Sequence, residues 1–500
     1  MTVSVKTMQE WNERILELVD HYGLNCYPQE FDVCDHNEMI GFMAYSGMPS
    51  RYAHWSYGKS FEKQKTLYDY GVAGLPYEMV INSNPCLAYL MRDNSLLLQI
   101  LTIAHVYGHN DFFANNFTFT SGTKAEYTLE MFKNHANRID SYIEDPSIGV
   151  EAVEDFLDHA HSVSYQCSRN LAIRKLSPAE QQYRAWERSQ PPVDEYAEIH
   201  PKPEYTPPEL NRIPLEPEED LLSFIARYNP YIPEWKRDLL LIVEKETKYF
   251  MPQIETKIMN EGWASYWHHK ILNELKLPQE LHFEFMVRHN QVLRPTPGGL
   301  NPYHLGFIMW HDIERRWNEG DTGREFTDDT PPNDVSSMDE RETPGRKKIF
   351  EIRESDRDSS FLRRFLTPDI MRELNLFQHE KRGKERIVTK VSDDEQWQQV
   401  KNTLVNSVGS AGIPIIKVED ADFGQKRTLY LKHYHDGRDL QLEHAEHTLR
   451  HVSKLWMREV VLETNVNGRK SLLKLVGDAL KIERLDKNKK NDDESDEDAS

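Results

Sequence analysis

Two histidines, His105 and His109, lie four residues apart in the segment AHVYGHNDFF. On an α-helix this spacing projects both imidazoles from one face about 6 Å apart along the axis, which suits them to grip one divalent ion. The spacing is weak support by itself, because 21 histidines in 500 positions give on the order of one such pair by chance. A second pair, His447 and His451, has the same spacing and reads as part of an ordinary helix. Context separates the two. The first pair sits inside SLLLQILTIAHVYGHNDFFANN, Ser95 to Asn116, a stretch apolar on most faces and so expected to be buried. Buried imidazoles without partners are costly, so these two need either a ligand or hydrogen bonds. Backbone carbonyls, Asp111, Asn115 and Asn116 are the partners that compete with a metal for that role.

The other half of such a centre is expected from MNEGWASYWHHK, where Glu261 stands at a helix start among Trp263, Tyr266 and Trp267. A carboxylate set among aromatic rings needs a cation. The order of an HxxxH helix and a later EGWA helix is similar to gluzincin-type metalloenzymes, whose HExxH histidines and downstream glutamate bind zinc. That similarity implies His105, His109 and Glu261 as ligands of a divalent metal, with zinc the expected ion. The glutamate that follows the first histidine in those enzymes is replaced here by Val106. General-base work then falls to another carboxylate, with Glu126, Glu130, Glu151 and Asp155 on neighbouring helices as the candidates. His268, seven residues after Glu261, falls on the same helical face about 10 Å further along and could support a ligand or face substrate. A set of three histidine ligands with Glu261 as base stays open. Arg51, His54 and Lys59, interleaved with Tyr52, Trp55 and Tyr57 in PSRYAHWSYGK, are candidates for binding an anionic or peptide substrate, or for anchoring a surface loop.

Positioning these residues requires long helices. Helical periodicity is expected over Lys124 to Glu144 and over Gly149 to Asn170, and it resumes at Glu218 with separate helices before and after Pro252. Residues 1–185 read as mainly helical. Residues 186–217 form an extended segment, with eight of the chain's 26 prolines between Gln190 and Pro217. Residues 218–317 are a helical region packing on the first, 318–347 a polar loop and 348–384 a helical connector. Residues 385–482 form a small α+β C-terminal domain, from the runs RIVTKV, IPIIKVEDAD, TLYLKHY and VVLETN around a helix at Leu440 to Leu455. The last stretch, 483–500, is an acidic tail that cannot bury itself. The expected fold class is thus a mainly α N-terminal region with gluzincin-like helices, followed by a small α+β domain.

Net charge is 61 − 82 = −21, which argues against a broad nucleic-acid surface. No apolar run approaches the roughly 20 residues a membrane helix needs. The N-terminus lacks the basic and apolar regions of an export signal, and the four cysteines are widely spaced with no CxxC, so a reducing cytoplasm is expected.

Longer motifs carry a family resemblance. RYAHWSYGK, YEMVINSNPCLAYL, AHVYGHNDFFANN, YFMPQIETKIMNEGWASYWHH, NPYHLGFIMWHDIERRW, KKIFEIRESDRDSSFLRRFLT and YHDGRDLQLEHAEHTLRHVSKLW follow one another between Met8 and Trp456. In that order they resemble the SpoVR family, named for a stage V sporulation protein but widespread in bacteria that form no spores. The resemblance implies a stress, stationary-phase or sporulation module. Its implied partners are a PrkA-like serine protein kinase and a protein with a von Willebrand-type domain. No settled reaction comes with it, so a metal-dependent amide or peptide hydrolase and a non-catalytic scaffold for the kinase are both expectations.

Overall fold

The structure is a computed structural model that describes residues 3–72, 74–169, 174–190, 210, 212–295, 299–321, 338–376, 379–382, 385–388, 394–477 and 479–485. Most of the proline-rich segment, the middle of the polar loop and nearly all of the acidic tail lie outside them. The chain forms two units, each from two separate segments: residues 1–141 with 248–412, and residues 142–247 with 413–500.

The first segment holds α1 (Val5–Tyr22), β1 (Gln29–Cys34), α2 (His36–Ala44), α3 (Trp55–Asp69), β2 (Glu78–Ile81), β3 (Cys86–Met91), α4 (Leu96–Asn115), α5 (Phe117–Gly122) and α6 (Thr128–Glu144). The second holds α7 (Val150–Ser162), α8 (Pro178–Ser189), α9 (Leu221–Tyr228) and α10 (Glu234–Glu255), which runs on into the third. There follow α11 (Lys257–Glu274), α12 (Gln279–Val292), α13 (Pro302–Glu319), α14 (Pro344–Ser355), α15 (Asp358–Phe365), α16 (Pro368–Glu373), the hairpin β4 (His379–Arg382) and β5 (Glu385–Val388), and α17 (Asp394–Val405). The last segment contains β6 (Ile416–Phe423), β7 (Thr428–His433), α18 (Leu442–Trp456), β8 (Val460–Val466), β9 (Arg469–Val476) and β10 (Ala479–Arg484).

In the first unit α4 is the central rod, with every residue from Leu97 to Phe113 buried. Ser95 starts it by accepting the Leu98 N–H, and Asn116 ends it, its side chain turning to cap α5 through the Thr118 N–H. Helix α11 lies against α4 on one side and α13 on the other, and small residues set how near they come. A Cβ placed on Gly108 would fall 2.6 Å from the Ala264 Cα, and one on Gly262 would fall 2.4 Å from the backbone of Gly306. Trp263, Trp267, Trp310 and Phe361 fill the surrounding core. A buried ion pair crosses that core: Arg353 of α14 donates to both carboxylate oxygens of Asp111 on α4 at 2.6 and 2.8 Å, and the Trp263 indole donates to the same carboxylate.

Two local expectations are revised. Residues 1–185 also contain a three-stranded sheet, in the order β1-β3-β2, with β1 parallel and β2 antiparallel to β3. These strands are only four to six residues long, too short for their alternation to stand out from the flanking helices. Pro252 does not separate two helices but lies inside α10, and the break comes at Thr256, whose hydroxyl bonds back to the Pro252 carbonyl at 2.7 Å.

In the second unit a five-stranded sheet runs β10-β9-β8-β7-β6, antiparallel except for the parallel pair β7–β8 joined by α18. Helix α18 buries Ala445, Leu449, Val452, Leu455 and Trp456, and it packs against α7 as well as β8 and β9. Among the described residues no helix is long and apolar enough to cross a membrane.

The glycine contacts yield a stability test. Gly262→Ala drives a methyl group into backbone that cannot swing aside, so it should cost about 1–3 kcal/mol or more in urea unfolding. Gly58→Ala, in a helix with nothing within 4 Å of the new methyl, should be neutral or stabilising. Equal midpoints for the two variants would refute the close-approach account.

Candidate metal centre

His105 and His109 stand one turn apart on α4, their rings edge to face with centroids 4.6 Å apart. Across the Gly108–Ala264 contact, the first two turns of α11 present Asn260 and Glu261. Glu261 Oε2 lies 3.5 Å from His109 Nε2 and 3.9 Å from His105 Nε2. A second carboxylate enters from β2, with Glu78 Oε1 3.9 Å from His105 Nε2. One ligand atom each of Glu78, His105 and His109 lies within 4.8 Å of the other two. With ligand bonds of about 2.0–2.2 Å, donors around one ion sit roughly 3–4 Å from each other, so modest side-chain adjustment would bring the two histidines with Glu78 or with Glu261 within reach of a single cation.

The hydrogen-bond inventory fits that group. His105 Nε2 and Glu261 Oε2 are buried and have no hydrogen-bond partner, although buried polar atoms nearly always have one. The opposite ring nitrogens are engaged: His109 Nδ1 is 2.9 Å from Asn260 Oδ1, an acceptor, so Nδ1 carries the proton and Nε2 keeps its lone pair. His105 Nδ1 meets His268 Nδ1 at 2.9 Å, and His268 Nε2 meets His289 Nδ1 at 2.8 Å. For His105 to bind through Nε2, the protons along this chain must point from His105 to His268 to His289. That arrangement fixes the ring and tautomer of His105 as supporting groups around metal sites do.

Electrostatics separate the two carboxylates. Burial alone would lift Glu261, but His105, His109 and the Tyr303 hydroxyl together bring it below the usual carboxylate range. Glu78 is lifted above that range by burial, with His105 opposing and Glu261 adding to the rise. Burial, with the neighbouring His105, takes His109 down to about 4, so the imidazole is neutral at pH 7 as a ligand must be. Tyr303 of α13 stays a protonated donor, since burial and the charges of Glu261 and Glu78 push its phenol far above the ordinary value.

Asp111, Asn115 and Asn116 turn away from the histidines. Asp111 serves Arg353, Trp263 and the Asn25 N–H, Asn115 bonds Asn25, and Asn116 bonds the carbonyls of Arg353 and Asp356. Glu126 and Glu130 are exposed, as are Glu151 and Asp155 on α7 of the other unit. Arg51 is framed by the rings of Tyr57, Phe132 and Phe250 at 4.9, 5.6 and 5.6 Å. His54 caps α3 and bonds Ser56 Oγ at 2.7 Å, and Lys59 lies over Trp55 at 5.5 Å. Sequence reasoning passed over Glu78, Asn260, His289 and Tyr303. The motifs holding Glu78, Asn260 and Tyr303, namely YEMVINSNP, MNEGWASYWHH and NPYHLGFIMW, were visible, while His289 lies outside them, and the contacts that give all four meaning cross between elements.

Comparison with known proteins places the chain. The SpoVR-like protein family matches residues 2–413, and the SpoVR-like C-terminal domain matches residues 414–467. The chain belongs to the SpoVR family. It is 34% identical over 473 residues to the uncharacterized protein YcgB of Escherichia coli (strain K12), covering 90% of this chain and 91% of that one. No solved structure matches it.

Two neutral histidines beyond His105 and His109, the buried His289 and the partly buried His311, should make stability depend on pH. Burial is the first cause holding His311 near 4 and His289 near 3, below the ordinary 6.5. The unfolded chain therefore binds more protons than the native one between these values and 6.5. Stability should be fully present above pH 6.5 and fall as pH drops towards 4. For His311, held at about 4, that depression corresponds to about 3 kcal/mol. Chemical denaturation of the metal-free chain at pH 7 and pH 4.5 checks this, because His311→Phe should visibly reduce the loss. An unchanged loss would refute it.

Proposed function

We propose that this SpoVR protein is a metal-dependent hydrolase acting on amide or peptide bonds, with a zinc-class dication held by His105, His109 and Glu261. The observation that carries the reading is the pair of orphaned buried atoms, His105 Nε2 and Glu261 Oε2, facing each other at 3.9 Å beside His109. A dication bound there supplies Lewis acidity to a carbonyl and lowers the pKa of water. Each protein group then has a distinct task. His268 and Asn260 hold the two imidazoles in their ligating tautomers. Glu78 takes the place of the base that Val106 cannot supply: its raised proton affinity suits a carboxylate that accepts a proton from the attacking water and returns it to the leaving amine. Tyr303, protonated and beside Glu261, is the hydroxyl available to stabilise developing negative charge on the carbonyl oxygen.

The first measurement is metal content after exposure to zinc and dialysis. His109→Ala and Glu261→Gln should each bind one equivalent fewer than the unaltered chain, and identical content would end the proposal. Glu78→Gln should keep the metal yet lose about 10²–10⁴-fold in hydrolysis of whichever amide substrate the unaltered protein cleaves. Loss of metal from Glu78→Gln would instead make that residue a ligand.

A further inference from the structure

The second unit brings together a separate set of metal-ligating side chains. Helix α7 carries Asp155 and His159 one turn apart, and helix α18 carries His447 and His451 one turn apart. The two helices pack on each other with His159 Nδ1 2.9 Å from His451 Nδ1. Asp155 Oδ2 lies 3.7 Å from the other nitrogen of His159, Nε2. His447 and Asp155 are both near enough to act electrostatically on His451. We propose that this cross-helix pair is a second transition-metal site, binding a zinc-class dication through His159 and His451, with water completing its coordination and Asp155 supporting His159.

Three features support a site over a simple contact. Donors on a zinc-class ion with bonds of about 2.1 Å stand roughly 3.0–3.4 Å apart, so the two Nδ1 atoms need open by only a few tenths of an ångström. The Asp155 carboxylate, 3.7 Å from Nε2, electrostatically favours the tautomer of His159 protonated at that nitrogen, which leaves the Nδ1 lone pair towards His451, as in the carboxylate–histidine–metal arrangement. Both imidazoles are only partly buried, so an ion and its waters can enter, and His447 is exposed at the rim. Burial first, with each other's proximity adding for His451, keeps both rings below their ordinary pKa and therefore neutral at pH 7.

Chemically this differs from the first centre. It has a solvent-facing rim, and the carboxylate supports a ligand without being one. Its consequence is mechanical: an ion there ties α18, inside the stretch matched by the C-terminal domain family, to α7, inside the stretch matched by the main family.

Zinc stoichiometry of the full chain tests the site, measured in the unaltered protein and again in His109→Ala so that the two centres are counted separately. His159→Gln and His451→Gln should each lose one equivalent in both backgrounds, while His444→Gln, an exposed histidine on the same helix, loses none. Zinc should also raise the thermal midpoint of the His109→Ala chain and fail to do so once His451→Gln is added. Asp155→Asn, which removes no ligand, should weaken zinc binding about 10–100-fold at this site and remains decisive should a glutamine variant fail to fold. Unchanged stoichiometry in His159→Gln and His451→Gln, or an equal loss in His444→Gln, overturns the proposal and leaves only adventitious zinc. If the unaltered chain binds one ion that His451→Gln abolishes and His109→Ala does not, the second site stands and the first fails.

Discussion

The architecture of the first unit depends on how closely three helices approach. Gly108 against Ala264, and Gly262 against Gly306, let α4, α11 and α13 touch backbone to backbone where ordinary side chains would hold them further apart. Each contact lies next to a functional group in sequence. Gly108 precedes His109, Gly262 follows Glu261, and Gly306 lies one turn from Tyr303. Without those contacts the imidazoles and the carboxylate would stand beyond the reach of a common ion. His105, His109 and Glu261 thus need no loop to deliver them; they are side chains on rigid rods whose separation is set by missing methyl groups.

Around that contact the polar interior is arranged so that few groups compete for the centre. Asp111, two residues beyond His109 in sequence, is occupied by Arg353, Trp263 and a backbone N–H. Such a buried pair is a weak source of net stability but a strong source of specificity, because either partner alone would be an uncompensated charge. It locks the rotation of α4 and thereby which residues face α11. The chain from His105 through His268 to His289 does the same at the level of a single ring.

The part of this that sequence reasoning reaches is the local part. The burial of α4 follows from its all-round apolar pattern, its ends from Ser95 and Asn116, and the pairing of His105 with His109 from helical spacing. The nearness of Glu261 was an inference by similarity to another arrangement of helices, and the structure puts its carboxylate beside both rings. Glu78 escaped because its four-residue strand has meaning only through pairing with β3, a partner that composition does not announce. The family motifs were long enough to be specific, and the five-stranded sheet was partly legible. Strands β9 and β10 were not read, their exposed basic residues having masked the alternation. Nothing local tells which stretch packs with which, so the assembly of two units from interleaved segments could not be read at all.

The Asp111–Arg353 pair spans 242 residues of sequence. At ribosomal speeds of about 5–20 residues per second, α4 emerges on the order of tens of seconds before the arginine that neutralises its buried aspartate has been made. Through that interval the strongly apolar α4 lacks its ionic partner, and for more than half of it α11 has not been made either. The ion pair that crosses the core of the first unit can form only once the ribosome has passed α14.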